Sequence, residues 1–129
     1  MKILIIDDNT DIRMLLEMTI NAMGHEFNST PSGLEGLEMI KGEIYDLVLL
    51  DLTMPNFSGL DVLNALDEEG LCTRQPIVLF TASLYLSTSD MEEKLMNKEI
   101  HSILSKPSDI DQIMQKINEI QAEYESKNK

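Results

Sequence analysis

Three short runs of unbroken apolar residues, Ile3–Ile6, Leu47–Leu50 and Ile77–Phe80, limit what this chain can fold into more than any other feature. None alternates with polar residues, and none is long enough for a helix. Strands buried on both faces have this appearance. Between the runs the apolar residues recur at helical spacing. Ile12, Leu15, Leu16, Ile20 and Met23 predict a helix from about Thr10 to Met23, stopped by Gly24. Ser32 opens a second helix that carries Leu34, Leu37 and Ile40 and ends at Gly42. Leu60, Leu63 and Leu66 mark a third, which Gly70 ends. Ser89 to Glu92 has the pattern of a capping box and opens a fourth through Leu95 and Met96. Ser108 caps the last, with Ile110, Ile113, Ile117 and Ile120 on one stripe. His25–Ser29 supplies a weaker strand and Ile100–Leu104 a short fifth one, and the second apolar run is read as a strand from Asp46 to Asp51. The expected order is strand then helix, five times over.

Continuous apolar strands separated by helices imply an α/β fold with a parallel sheet covered on both faces. Right-handed crossovers leave few topologies open. With 129 residues and 43% hydrophobic content, one domain with a sizeable core is expected. No repeat or linker interrupts it. Residues 1–125 are expected to form the domain and 126–129 a polar C-terminal tail, with fraying from Glu125 onward.

The formal net charge is −13 at pH 7. Phosphate backbones and anionic membrane surfaces attract Lys and Arg, so neither is an expected partner. An acidic surface suits a cation or a partner with a basic face, and at its plainest it keeps the chain soluble. Cys72 is the single cysteine, so no internal disulfide can form, which fits a reducing compartment. The N-terminal apolar run is too short for a signal peptide or a spanning helix, and no later run is longer. A cytoplasmic protein is expected. The Met1 start and polar tail favour a complete protein.

In a parallel sheet, ligands bind beyond the carboxyl ends of the strands. Asp7 and Asp8 follow the first strand, Asp51 ends the third, Thr81 the fourth and Lys106 the fifth. Parallel strands bring these residues to one edge. Three carboxylates there repel one another unless something compensates. A hard divalent cation with oxygen ligands, magnesium above all, is the natural compensation. With a lysine and a hydroxyl beside it, such a site can also hold a phosphoryl group. Each residue alone has a plainer reading: Asp8 as a helix cap, Thr81 as a loop hydroxyl, Lys106 as a solvated lysine. Their joint placement at successive strand ends carries the argument. The nine methionines read as core filler, and His25 and His101 are too far apart in sequence to suggest zinc.

At these residues the sequence resembles the receiver (CheY-like) domain of two-component response regulators. The resemblance runs from Lys2 to about Tyr124. It rests on Asp7-Asp8, on Asp51-Leu52-Thr53-Met54-Pro55, on Thr81-Ala82 and on Lys106-Pro107. It implies a flavodoxin-like doubly wound (βα)5 sandwich with strand order 2-1-3-4-5. It implies that Asp51 accepts a phosphoryl group from a histidine kinase or phosphotransfer protein. Asp8, Asp51 and the Thr53 carbonyl would ligate Mg2+, with Asp7 acting through water. Thr81 and Lys106 would bind the phosphoryl oxygens, and Pro107 would follow a cis peptide bond. The chain would then be a stand-alone switch rather than an enzyme, catalysing only its own phosphoryl transfer and dephosphorylation. Its output would be a downstream protein target, as a monomer or a weak phosphorylation-dependent dimer.

The sequence departs from that family in places. Ile103 stands where an aromatic is usual, and Tyr85 is a candidate substitute for the missing ring. Glu99-Ile100 replaces a Gly-Ala pair, which points to an unusual partner surface. Thr53 and Ser83 occupy positions that tune phosphoryl lifetime, and neither is acidic. Two other classes share parts of the pattern. A phosphatase of the haloacid dehalogenase type needs an aspartate two residues after the nucleophile, where Thr53 stands. A flavodoxin-like electron carrier needs a phosphate loop where Asp7-Asp8-Asn9 would repel phosphate, and no glycine-rich loop supports a nucleotide binder.

Overall fold

The computed structural model describes residues 1–51, 54, 56–71, 75–81, 100–105 and 110–127. The chain runs β1 (Lys2–Ile6), α1 (Thr10–Ala22), β2 (Glu26–Thr30), α2 (Gly33–Gly42), β3 (Leu47–Leu50), α3 (Gly59–Glu68), β4 (Ile77–Thr81), β5 (Ser102–Ser105) and α4 (Ile110–Lys127). The five strands form one parallel sheet in the order β2-β1-β3-β4-β5. This is the CheY-like, flavodoxin-like α/β fold expected from the sequence. The helix expected near Leu95 and Met96 and the caps at Ser89 and Ser108 fall outside the described residues. So do Tyr85, Ser83, Glu99 and Pro107, and the side chain of Ile103.

Two apolar layers sandwich the sheet, and strand alternation assigns residues to each. Leu4 and Ile6 of β1, Val48 and Leu50 of β3, and Ile77 and Leu79 of β4 pack with Leu37, Ile40, Val62, Leu63 and Leu66 of α2 and α3. Ile3, Ile5, Leu47, Leu49, Val78 and Phe80 face the other way, onto Leu16 and Ile20 of α1 and Ile113, Ile117 and Ile120 of α4. This two-sided burial explains the unbroken apolar runs. Each fully buried Leu or Ile contributes about 1.5–3 kcal/mol of transfer free energy.

Some boundaries differ from those read in the sequence. Asn9, not Asp8, caps α1, and its side chain accepts from the Ile12 amide. His25 falls outside β2 because its amide closes α1 on the Ile20 carbonyl at 3.2 Å. Gly24 there has φ +85°, and its amide reaches the Asn21 carbonyl. That left-handed residue is what a Schellman closure requires. Gly70, with φ +70°, ends α3 in the same way, with the Leu71 amide on the Leu66 carbonyl. Asp46 and Asp51 flank β3 rather than belong to it. The fifth strand is Ser102–Ser105, and Ile100 is instead a buried core residue. α4 continues through Lys127, so Glu125 to Lys127 belong to the helix. Lys116 bonds Glu119 and Gln121 bonds Glu125 along that exposed surface, the spacing that supports a polar helix end.

Two glycines let α2 lie close to its neighbours. A Cβ on Gly36 would come within 2.4 Å of the Ile6 side chain in the core. A Cβ on Gly33 would come within 2.4 Å of the Phe57 carbonyl. The start of α2 is thereby seated on the loop that follows β3. Among the described residues, no helix is long and apolar enough to cross a membrane.

Candidate metal and phosphoryl site

Hydrogen bonding at the strand ends sets the depth of the acidic residues. Ile6 of β1 pairs with Thr30 of β2 on one side and Leu50 of β3 on the other. One residue further, the Asp7 amide donates to the Thr30 carbonyl at 3.2 Å, and the Asp51 amide donates to the Ile6 carbonyl at 2.9 Å. The sheet pattern therefore extends to both aspartates and holds them side by side. Asp7 is 2% exposed and Asp51 is 3% exposed, whereas Asp8 lies in solvent.

The three carboxylates converge: one oxygen from each of Asp7, Asp8 and Asp51 lies within 4.8 Å of the others. Two buried carboxylates and a third at the mouth are costly unless hydrogen bonds or a cation compensate. Some compensation is local. The Asn9 amide donates to Asp7 Oδ1 at 2.9 Å. The Arg13 guanidinium donates to the Asp7 backbone carbonyl at 2.9 Å. An all-oxygen donor set with one solvent-facing member fits magnesium, whose opposite ligands stand about 4 Å apart and which keeps several waters. Asp7, Asp8 and Asp51 are thus suited to hold such an ion.

The remaining expected residues divide in two. Thr81 is the last residue of β4, paired in register with Ser105 of β5, so its backbone stands at the same sheet edge. Thr53 and Lys106, and the side chain of Thr81, lie outside the described residues. The loop after Asp51 contains Asn56 in the left-handed region, φ +70°, a conformation that asparagine tolerates better than most residues.

Sequence reasoning missed Asn9 and Arg13. Asn9 had a signal, since asparagine is among the preferred helix caps. Arg13 had none, because a guanidinium bonded to a main-chain carbonyl leaves no residue pattern. It also missed the capping box of α3, where the Ser58 and Asp61 side chains bond reciprocally. The third helical residue there is Asp rather than the usual Glu or Gln.

Comparison with known proteins agrees with this geometry. A family model described as the response regulator receiver domain matches residues 3–118. Sporulation initiation phosphotransferase F of Bacillus subtilis is 34% identical over 114 residues, covering 87% of this chain and 86% of that protein. The cell cycle transcriptional regulator CtrA of Caulobacter vibrioides is 30% identical over 120 residues, covering 93% of this chain and 50% of that protein. The chain spans between 38% and 50% of the length of CtrA and of two other transcriptional regulators that it matches. Among solved structures, the response regulator protein TrrA of Thermotoga maritima, in complex with Mg(2+)-BeF, aligns with a TM-score of 0.74. It is 28% identical, with 92% of this chain and 97% of that chain covered. Fold, acidic edge and family match coincide: the chain belongs to the receiver domain family of two-component response regulators.

Proposed function

We propose that Asp51 is the phosphoacceptor of a signalling switch. One Asp51 carboxylate oxygen attacks the phosphorus of a phosphohistidine on a histidine kinase or phosphotransfer protein. The P–N bond breaks, and the imidazole leaves with its electron pair. A bound Mg2+ would supply positive charge against the phosphoryl oxygens. Asp8, Asp51 and the Thr53 carbonyl would hold it directly, and Asp7 through water. Thr81 donates its hydroxyl to a phosphoryl oxygen, and Lys106 pairs with the same group. The acyl phosphate adds charge and acceptor oxygens at the sheet edge, and a pre-existing equilibrium of the surrounding surface shifts.

The observation that carries this reading is the convergence of Asp7, Asp8 and Asp51 within 4.8 Å at the carboxyl edge of the sheet. The output is binding of a downstream protein, by a monomer or a weak phosphorylation-dependent dimer acting as a stand-alone switch in the cytoplasm. Direct contact with nucleic acid or membrane is not part of it, given a net charge of −13. Amide NMR tests the site. Adding Mg2+ should shift the amides of Asp7, Asp8, Asn9 and Asp51 saturably, and adding beryllofluoride, a phosphoryl mimic, should extend the shifts to Thr81. Amides that ignore both additions would refute it.

A further inference from the structure

The Asp8 side chain faces solvent and makes no hydrogen bond or ion pair among the described residues. Its place in the acidic cluster is therefore set by the main chain beneath it. That main chain is held from several directions. The Asp7 amide is bonded to Thr30 of β2. The Asp7 carboxylate accepts from the Asn9 amide at 2.9 Å. The Asp7 carbonyl, part of the peptide unit that leads into Asp8, accepts from Arg13 Nη1 at 2.9 Å. Because a peptide unit is planar, fixing its carbonyl also fixes the direction in which Asp8 departs. Arg13 is itself anchored in the first turns of α1, where its amide donates to the Asn9 carbonyl at 3.0 Å. One half-buried guanidinium thus ties the first helix to the Asp7–Asp8 peptide.

We propose that Arg13 is a positioning residue for the metal site: it orients the Asp7–Asp8 peptide so that the Asp8 carboxylate meets those of Asp7 and Asp51. This rests on the magnesium-binding reading given above. The guanidinium acts in two opposing ways. Its positive charge repels a cation, whereas its hydrogen bond preorganises a ligand. The bond goes to a main-chain carbonyl rather than to a carboxylate, so the guanidinium is not spent on a carboxylate, and preorganisation prevails. Residues that orient metal ligands in this way typically change affinity by about 10-fold or more when removed.

The test uses the full chain and three proteins: wild type, Arg13→Gln and Arg13→Lys. Mg2+ affinity is measured by titration, alongside the thermal midpoint in EDTA and the acetyl phosphate reaction rate at saturating Mg2+. Arg13→Gln should raise the Mg2+ dissociation constant about 10-fold, while the rate at saturating Mg2+ stays within about threefold of wild type, a difference near RT. Arg13→Lys, which keeps a donor and the charge, should recover most of the affinity. The midpoints in EDTA should not follow this order. Unchanged or tighter Mg2+ binding by Arg13→Gln, with wild type binding normally, would overturn the role of Arg13 alone. Equal losses in both variants that follow the EDTA midpoints would reduce Arg13 to a structural residue and overturn it too. A wild type that does not bind Mg2+ would overturn the site reading and this inference together.

Discussion

The Asp51 amide donates to the Ile6 carbonyl at 2.9 Å, and this bond places Asp51 beside Asp7 at the end of the sheet. It continues the β1–β3 ladder one residue beyond the last paired residues, Ile6 and Leu50. The nucleophile of the proposed switch is thereby tethered to the end of the sheet, one residue beyond β3. Its neighbours Asp7 and Asp8 are placed by the opposite strand and the helix that grows from it.

Charge repulsion within the site should be measurable without ligand. Asp7, Asp8 and Asp51 crowd within 4.8 Å, and carboxylates at that separation near a surface repel by an amount on the order of 1 kcal/mol or more. Asp8→Asn removes one charge and leaves the fold intact. In EDTA its thermal midpoint should rise above that of wild type, and the rise on adding Mg2+ that wild type shows should largely vanish. Calorimetry with and without Mg2+ reads both effects.

Gly36 faces the Ile6 side chain in the core, and an added Cβ would lie 2.4 Å away. Alanine there should cost about 1–3 kcal/mol, as overpacking does, despite its better helix propensity. Urea denaturation of Gly36→Ala checks this. Gly42, with open space around it, serves as the control: Gly42→Ala should be near neutral.

His25 is buried and lies 3.0 Å from the Met1 amino group through Nδ1. Burial first, and then the positive amino group, push its pKa below the usual value, against a smaller opposing pull from Asp46. A lowered pKa means that the folded state favours the neutral ring. Stability should therefore be full above about pH 6.5, the ordinary imidazole value, and fall as the pH drops below it. Unfolding midpoints measured from pH 7.5 to 5 should show that decline in wild type and a shallower one in His25→Gln.

Much of this architecture was legible because burial on both faces writes itself plainly into a sequence. Leu47–Leu50 and Ile77–Phe80 could be little else than central strands, and the order of elements then led to the parallel sheet. The acidic edge followed from strand direction alone. Edges of elements were less legible. His25 looked like strand, but its amide belongs to the closure of α1. Glu125 to Lys127 looked like a tail, but α4 runs as far as Lys127. Asp8, which taken alone has the look of a cap, lies one residue before the actual cap, Asn9. The bond between Arg13 and the Asp7 carbonyl depends on how a side chain folds back over its own helix start, which no spacing rule reports.

Intact mass after incubation with acetyl phosphate and Mg2+ tests the central claim most directly. Wild type should gain the mass of one phosphoryl group, about 80 Da, only when Mg2+ is present, and Asp51→Asn should gain none. A phosphoryl adduct that persists in Asp51→Asn, or a wild type that stays unmodified while binding Mg2+ and still unmodified with a phosphorylated histidine kinase as donor, would contradict the assignment of Asp51 as phosphoacceptor.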